Sequence, residues 1–265
     1  MQKISNAEIK KIRSLAQKKF RDGYGLFVAE GEKMVAEAMA SGFGVTAVYR
    51  RDEIGEEAMG RISQLAAPSP VLAVVRKPSG LVLEDEYGFR EALGLDRKSG
   101  QVSGSGKGGL FLLLDTIRDP GNLGTILRVA DWFGVDAVFA SRDTVDIFNP
   151  KVVQATMGAV FRVRFHYADL PALCRTALSA GGRVYGTFLD GNDIYSSSLA
   201  TGEDFPVLAV TGNESEGISR EVEALCSDRL YIPPYPAGEP GSESLNAAIA
   251  TAVTLAEFRR RARRA

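Results

Sequence analysis

The chain has 265 residues, 45% of them hydrophobic and 25% charged, with a formal net charge of −1. Those proportions exclude a fibrous or disordered chain, and a charge so near zero excludes a protein that coats nucleic acid indiscriminately. No apolar run approaches the roughly 20 residues of a membrane-spanning helix, and the N-terminal MQKISNAEIKKIR is too polar for a signal peptide, so a cytoplasmic or organellar-matrix address with no membrane partner is expected, the cytoplasm first.

Residues 5–21 and 31–41 are predicted as amphipathic helices, and FVAE at 27–30, TAVYR at 46–50 and VLAVVR at 71–76 as strands. They make a small α/β domain over residues 1–77. Its start is basic: Lys3, Lys10, Lys11, Arg13, Lys18, Lys19 and Arg21 face Glu8 alone, a pattern that suits phosphate contacts, with Lys10, Lys18 and Arg21 as the candidates for them. A solvated helix face is the alternative reading. Residues 78–108 turn charged and then run into SGQVSGSGKGG, which buries little apolar surface and is expected to be a flexible linker. From 109 to 265 apolar strands alternate with helical patterns. LFLLLD at 110–115, VDAVFAS at 135–141, RVYGTFLD at 183–190, VLAVTG at 207–212 and RLYIP at 229–233 read as strands. Helices are expected over about 122–133 and near 150–158, 169–180, 218–226 and 244–261. Strands this uniformly apolar imply a mostly parallel sheet with helices on both faces.

Two cysteines, Cys174 and Cys226, and one histidine, His166, give neither a disulfide framework nor the makings of a zinc site, so no metal is expected. The cysteines read as buried apolar fillers. His166 ends the strand-like VFRVRFH with no nucleophile motif beside it and reads as structural. A second run of arginines, Arg259, Arg260, Arg261, Arg263 and Arg264, closes the chain and suits either phosphates or a helix C-terminus.

The glycines of GSGKGG at 104–109 fit G-x-G-x-x-G, but they precede a strand instead of following one, and Lys107 is followed by Gly. They are linker. Three other segments run from strand through a tight turn to a helix. In DTIRDPGNLGTILRVADWFGVD, Leu123, Ile126, Leu127, Ala130 and Phe133 form a buried stripe, Arg128 lies off it, and Asn122 sits at the helix start, where it could also serve as a cap. In VLAVTGNESEGIS, Gly212 and Gly217 bracket Glu214 and Glu216, and the turn lets the backbone approach a ligand. In YIPPYPAGEPGSESLNAAIATAVTLAEFRRR a stiff loop leads to a helix capped by Ser244, with Asn246 in its first turn; its small residues allow close packing within the chain or across a dimer.

Taken in this order, DPGNLGTILRVA, VTGNESEG and IPPYPAGEPGSESLN resemble the three motifs of the SpoU (TrmH-type) branch of the SPOUT RNA 2′-O-ribose methyltransferases. ISNAEIKKIRSLAQKKFRDGYGLFVAEGEKMVAEAM resembles the L30e-like substrate-binding domain of that family. The resemblance implies a homodimer, a deep trefoil knot in a methyltransferase domain over 109–265, and S-adenosylmethionine as cofactor. It places Asn122, Arg128, Glu214, Ser244 and Asn246 at the catalytic site. Thr187, Thr211, Gly212, Asn213, Gly217, Ile232, Pro234 and Leu245 would hold the cofactor. Pro234 departs from the family's usual Met, and the stretch from Ile232 to Ser244 is longer than its usual spacing. The expected substrate is ribosomal RNA of the 23S type, with transfer RNA, or an RNA-binding assembly factor without catalysis, as alternatives. A nicotinamide oxidoreductase, the reading from another class, lacks a glycine fingerprint after any strand.

Overall fold

A computed structural model of the chain describes residues 4–96, 108–236 and 243–262. In chain order its elements begin with α1 (Asn6–Ser14), α2 (Lys18–Tyr24), β1 (Leu26–Glu30), α3 (Glu32–Ala40), β2 (Val45–Arg50), α4 (Arg51–Ile54), α5 (Glu56–Ile62), β3 (Val71–Arg76) and α6 (Glu86–Ala92). There follow β4 (Gly109–Leu114), α7 (Pro120–Trp132), β5 (Ala137–Ala140), α8 (Pro150–Thr156), β6 (Phe165–Tyr167), α9 (Leu170–Ser179) and β7 (Arg183–Phe188). The last are β8 (Asn192–Asp193), β9 (Pro206–Thr211), α10 (Arg220–Glu223), β10 (Asp228–Tyr231) and α11 (Ala247–Ala262).

These elements gather into two units that no single cut in sequence separates. The first takes the chain up to Ser79 together with Leu123–Arg128 and Val145–Arg162; the second takes Gly80–Asn122, Val129–Thr144 and the chain from Val163.

In the first unit β1 and β2 flank β3, both antiparallel to it. Ile9, Ile12, Leu15, Met59, Ile62, Leu72 and Val74 make one apolar cluster under that sheet. The single helix expected over 5–21 is two. Arg21 explains the break: its Nη1 donates to Leu15 O at 2.9 Å and Ala16 O at 2.8 Å, satisfying carbonyls at the end of α1. Its Nε and Nη2 meet Asp146 Oδ2 at 3.0 and 2.6 Å, and the whole side chain is buried.

The second unit is built on a seven-stranded sheet ordered β6-β5-β4-β9-β7-β10-β8, parallel throughout. Every residue of β4 and β9 is buried, as strands covered on both faces must be. Leu208 and Val210 pack with Leu173, Cys174 and Ala177 of α9 on one face. On the other, Thr211 meets Thr251 of α11, their hydroxyls 2.9 Å apart. From β4 the chain steps outward to β5 and β6, then returns to lay β7, β9 and β10 on the opposite side. The carboxyl ends of β4 and β9 therefore flank the reversal of strand order, the place where parallel sheets open a crevice.

Three expectations are corrected here. The flexible linker of 78–108 does not hold for its described part: Asp85 caps α6, and Phe89, Ala92 and Leu93, at i, i+3 and i+4, join the second unit's core. Residues 97–107, with most of the GSGKGG run, lie outside the described residues. The strand-like VFRVRFH holds only at its end, because Met157 and Gly158, both at positive φ, turn the chain into a 3-10 turn over Ala159–Phe161 before β6 begins. The helix expected near 218–226 shrinks to the four residues of α10.

Candidate active site

The first motif is a strand end, a turn and a helix. Asp119, not Asn122, caps α7: its Oδ1 accepts the Asn122 N–H at 2.7 Å, and Pro120 occupies the first helical position. The correction frees the Asn122 side chain, whose Nδ2 donates to Glu214 Oε1 of the second motif. Its Oδ1 accepts from Asn246 Nδ2 of the third motif at 2.9 Å. One carboxamide thus ties together segments 92 and 124 residues away in sequence.

The turn that carries Glu214 closes on itself. Asn213 and Gly217 exchange backbone hydrogen bonds at 2.9 and 3.0 Å, and Asn213 Oδ1 accepts the N–H groups of Ser215 and Glu216. A side chain at Gly212 would meet the Gly217 carbonyl carbon at 2.3 Å, so glycine is required for the backbones to approach. Asp115 Oδ2 accepts the Ser219 N–H at 2.8 Å, fastening the far end of the turn to β4. On the exposed rim Arg118 and Glu216 form an ion pair at 3.3 Å, an arrangement worth little in water.

In the third motif Ser244 is not the helix cap, because α11 starts at Ala247. Asn246 is: its Oδ1 accepts from Ala248 N at 3.0 Å and Ile249 N at 3.4 Å. Its amide nitrogen remains to reach Asn122. Ser244 and Leu245 are exposed beside it, and residues 237–242 lie outside the described residues.

Of the residues expected to hold a cofactor, Thr187 and Thr211 stand at or near the carboxyl ends of β7 and β9; Gly212, Asn213 and Gly217 follow β9, and Ile232 and Pro234 follow β10. Since β9, β7 and β10 are neighbours, these residues share one sheet edge. Several of their side chains are already engaged. Thr187 Oγ1 donates to Val210 O at 3.0 Å, and Asn213 Nδ2 to Thr116 O at 2.9 Å. What they leave for a ligand is chiefly main chain.

Arg128 lies six residues beyond Asn122 on α7, roughly 9 Å along the axis. It is exposed, pairs with no carboxylate among the described residues, and is not part of the Asn122 chain of bonds. Arg21, expected to meet RNA, is corrected: its buried guanidinium is consumed by Asp146 and two carbonyls. Lys10 and Lys18 are exposed, Lys18 against Asp22 at 2.6 Å. The described tail arginines are also engaged: Arg259 donates to Phe133 O at 2.7 Å, and Arg260 and Arg261 pair with Glu257. Burial pushes the Cys174 thiol up to about 12 and the Cys226 thiol up to about 11. It lowers the His166 pKa, with Nδ1 3.0 Å from Gly80 O. Both thiols therefore stay protonated near neutrality.

Sequence reasoning missed Asp119, although an Asp before a Pro at a helix start is a capping signal. It also missed Asp115, Ser141 and Thr144, whose anchoring of the turns carries no local signature.

Residues 109–256 match the sequence model of the SpoU rRNA Methylase family, and residues 6–77 that of the MRM3-like substrate binding domain. The chain is 29% identical to the 23S rRNA (guanosine(2553)-2′-O)-methyltransferase RlmP of Bacillus subtilis, over 98% of both chains. A putative RNA methyltransferase of the TrmH family from Porphyromonas gingivalis superposes with a TM-score of 0.80 at 35% identity, covering 98% of this chain and 100% of that one. An AdoMet-bound rRNA methyltransferase from Sinorhizobium meliloti superposes with a TM-score of 0.78 at 29% identity, covering 98% and 97%.

Proposed function

From the premise that this chain belongs to the SpoU rRNA methylase family, we propose that it methylates a ribose 2′-hydroxyl of 23S-type ribosomal RNA with S-adenosylmethionine. The observation that carries this reading is the Asn122 carboxamide, which joins all three motifs at the carboxyl edge of the sheet beside β4 and β9.

The cofactor fits this edge because the turns after β7, β9 and β10 offer main chain where the side chains are spent; Gly212, Gly217, Ile232, Pro234 and Leu245 would hold it, with Thr187, Thr211 and Asn213 fixing the turns. When bound it supplies an electrophilic methyl group on a sulfonium. The acceptor of that methyl group would be the RNA's 2′-oxygen, which the residues of this edge would have to hold in line with it. A protonated hydroxyl is a poor nucleophile, so the protein must position it in line and exclude water. Asn122 takes the positioning role, supported by an amide whose orientation is set by donating to Glu214 and accepting from Asn246. Ser244, exposed two residues before Asn246, has the role of bonding the ribose. Arg128 anchors the RNA phosphate. A free guanidinium, with a pKa above roughly 12, is a bad base, so anchoring is the role assigned to it.

Residues 1–77 serve as the RNA-binding part, with Lys10 and Lys18 on its exposed basic face, and 109–265 as the methyltransferase part. The trefoil knot, the homodimer and a cytoplasmic address belong to the same reading; exposed Trp132, Leu245 and Ile249 supply apolar surface for a second copy. No described helix is long and apolar enough to cross a membrane.

Mapping 2′-O-methyl positions in total RNA with and without the protein tests the activity. One ribosomal position should lose its methyl group without the protein and regain it with purified protein and cofactor; an unchanged map overturns the reading.

A further inference from the structure

Where β4 ends, the chain takes a conformation its residue disfavours. Thr116 sits at φ +60°, in the left-handed region that glycine enters freely and a β-branched residue rarely does. Groups from both flanking strands hold it there. Its N–H donates to Ser141 Oγ at 2.8 Å, on the turn after β5, and its carbonyl accepts from Asn213 Nδ2 at 2.9 Å, on the turn after β9. The next N–H, of Ile117, donates to Thr144 Oγ1 at 3.2 Å. The two hydroxyls lie 3.2 Å apart, and Thr144 also reaches Leu114 O at 3.3 Å. Ile117 and Thr144 are buried, so water would not readily replace a lost partner. Three residues beyond Thr116 stands Asp119, the cap of α7, and three beyond that Asn122.

We propose that Ser141, Thr144 and Asn213 form a clamp that keeps Thr116 strained and thereby positions the turn leading to Asn122 for methyl transfer. The inference rests on the activity assigned above. Ser141 and Thr144 are positioning residues: they act through the backbone of Thr116 and Ile117. Strained residues persist only where their surroundings over-determine them, and such strain collects at functional sites. Without the Ser141 hydroxyl, Thr116 relaxes toward negative φ and swings the turn. A displacement of about 1 Å at reacting groups costs on the order of 100-fold in rate.

The test compares the full chain with S141A, S141T, T116G and S141A/T116G, in methyl transfer from labelled cofactor to ribosomal RNA and in amide exchange at Thr116 and Ile117. S141A should lower kcat about tenfold or more with little change in the RNA KM, and should speed exchange at both amides. S141T should restore both readouts. Adding T116G to S141A should recover most of the lost kcat, because glycine pays no side-chain penalty at positive φ and the turn stays in place unclamped. A merely structural loss would not be rescued this way. The clamp is overturned if S141A matches the wild type in kcat and exchange, or if the double variant is no better than S141A. Should the wild type itself transfer no methyl group, the assigned activity fails. Exchange at Ile117, whose acceptor Thr144 Oγ1 stays in every variant, then decides the clamp alone: faster exchange there in S141A, reversed by adding T116G, supports it, and unchanged exchange overturns it.

Discussion

Two polar clusters use the same chemistry to opposite ends. In the first unit Arg21 and Asp146 are sealed away, their side chains 3% and 8% exposed, and the guanidinium is satisfied by a carboxylate and two carbonyls. At the carboxyl edge of the second unit's sheet, Asn122, Glu214 and Asn246 bond to one another where water reaches them. A buried charge must be paired because desolvation is costly, so the first cluster is explained by folding. Hydrogen bonds in contact with water contribute only about 0.5–1.5 kcal/mol each. Bonds this weak fit a cluster that sets local geometry better than one that holds the fold together.

The strongest way to break this contrast is Arg128→Ala. If the exposed edge is the catalytic one, methyl transfer falls by about 10²- to 10³-fold or more, while calorimetric affinity for S-adenosylmethionine and the melting temperature stay near wild type. Retained turnover sinks the role given to Arg128. The mirror experiment is Arg21→Ala. It should lower stability by about 3–5 kcal/mol in urea unfolding, since it strands Asp146 in the interior. Replacing both partners by apolar residues, R21M/D146L, should cost less than either single change. A mild R21A would mean that the pair is wetter than its burial indicates.

The sequence announced one cluster and concealed the other. The parallel sheet was legible because LFLLLD and VLAVTG are unbroken apolar runs, and the three motifs because each sits between such a run and a helix. Arg21 was misread because a count of nearby charges carries no information on burial, and its partner Asp146 lies 125 residues away. The helix around Phe89 was hidden by its charged neighbours, whose solvated side balanced three apolar residues in the composition. Both cap candidates lay a few residues off: Asn122 and Ser244 have capping side chains, but Asp119, three residues before Asn122, and Asn246, two after Ser244, hold the geometry. Those shifts matter to function, since they decide which amide is left free to reach across the site.

A smaller effect separates the two jobs of Asn246. Asn122→Ala should lower kcat about 10- to 100-fold, because Glu214 and Asn246 lose their common partner, yet leave the melting temperature almost unchanged, since Asp119 still caps α7. Asn246→Asp keeps an oxygen for the α11 cap but loses the donor to Asn122, and should fall between that variant and the wild type. Equal melting losses in both variants would mean that the cluster serves stability after all.

The finest test lies on α11 itself, where Glu257 is neither sealed nor open. Its carboxylate is 5% exposed but bonds Arg260 and Arg261, both partly in solvent. Hydrogen bonds from Arg260 first, then from Arg261, hold its pKa down to about 2 against an ordinary 4.5. A folded-state pKa below the unfolded one means that the ionised pair stabilises the fold above about pH 4.5, and that this contribution fades as the pH falls toward 2. Glu257→Gln should therefore melt a few degrees below the wild type near neutrality, with the gap narrowing as the solution is acidified below about pH 4.5. Turnover well below the melting point should not change, because Glu257 lies about three turns of helix beyond Asn246. A gap that is the same at every pH would assign the loss to packing. A fall in turnover with no loss of stability would mean that α11 transmits its C-terminal anchoring to the crevice, and that the division between folding cluster and working cluster is less sharp than Arg21 and Asn122 make it.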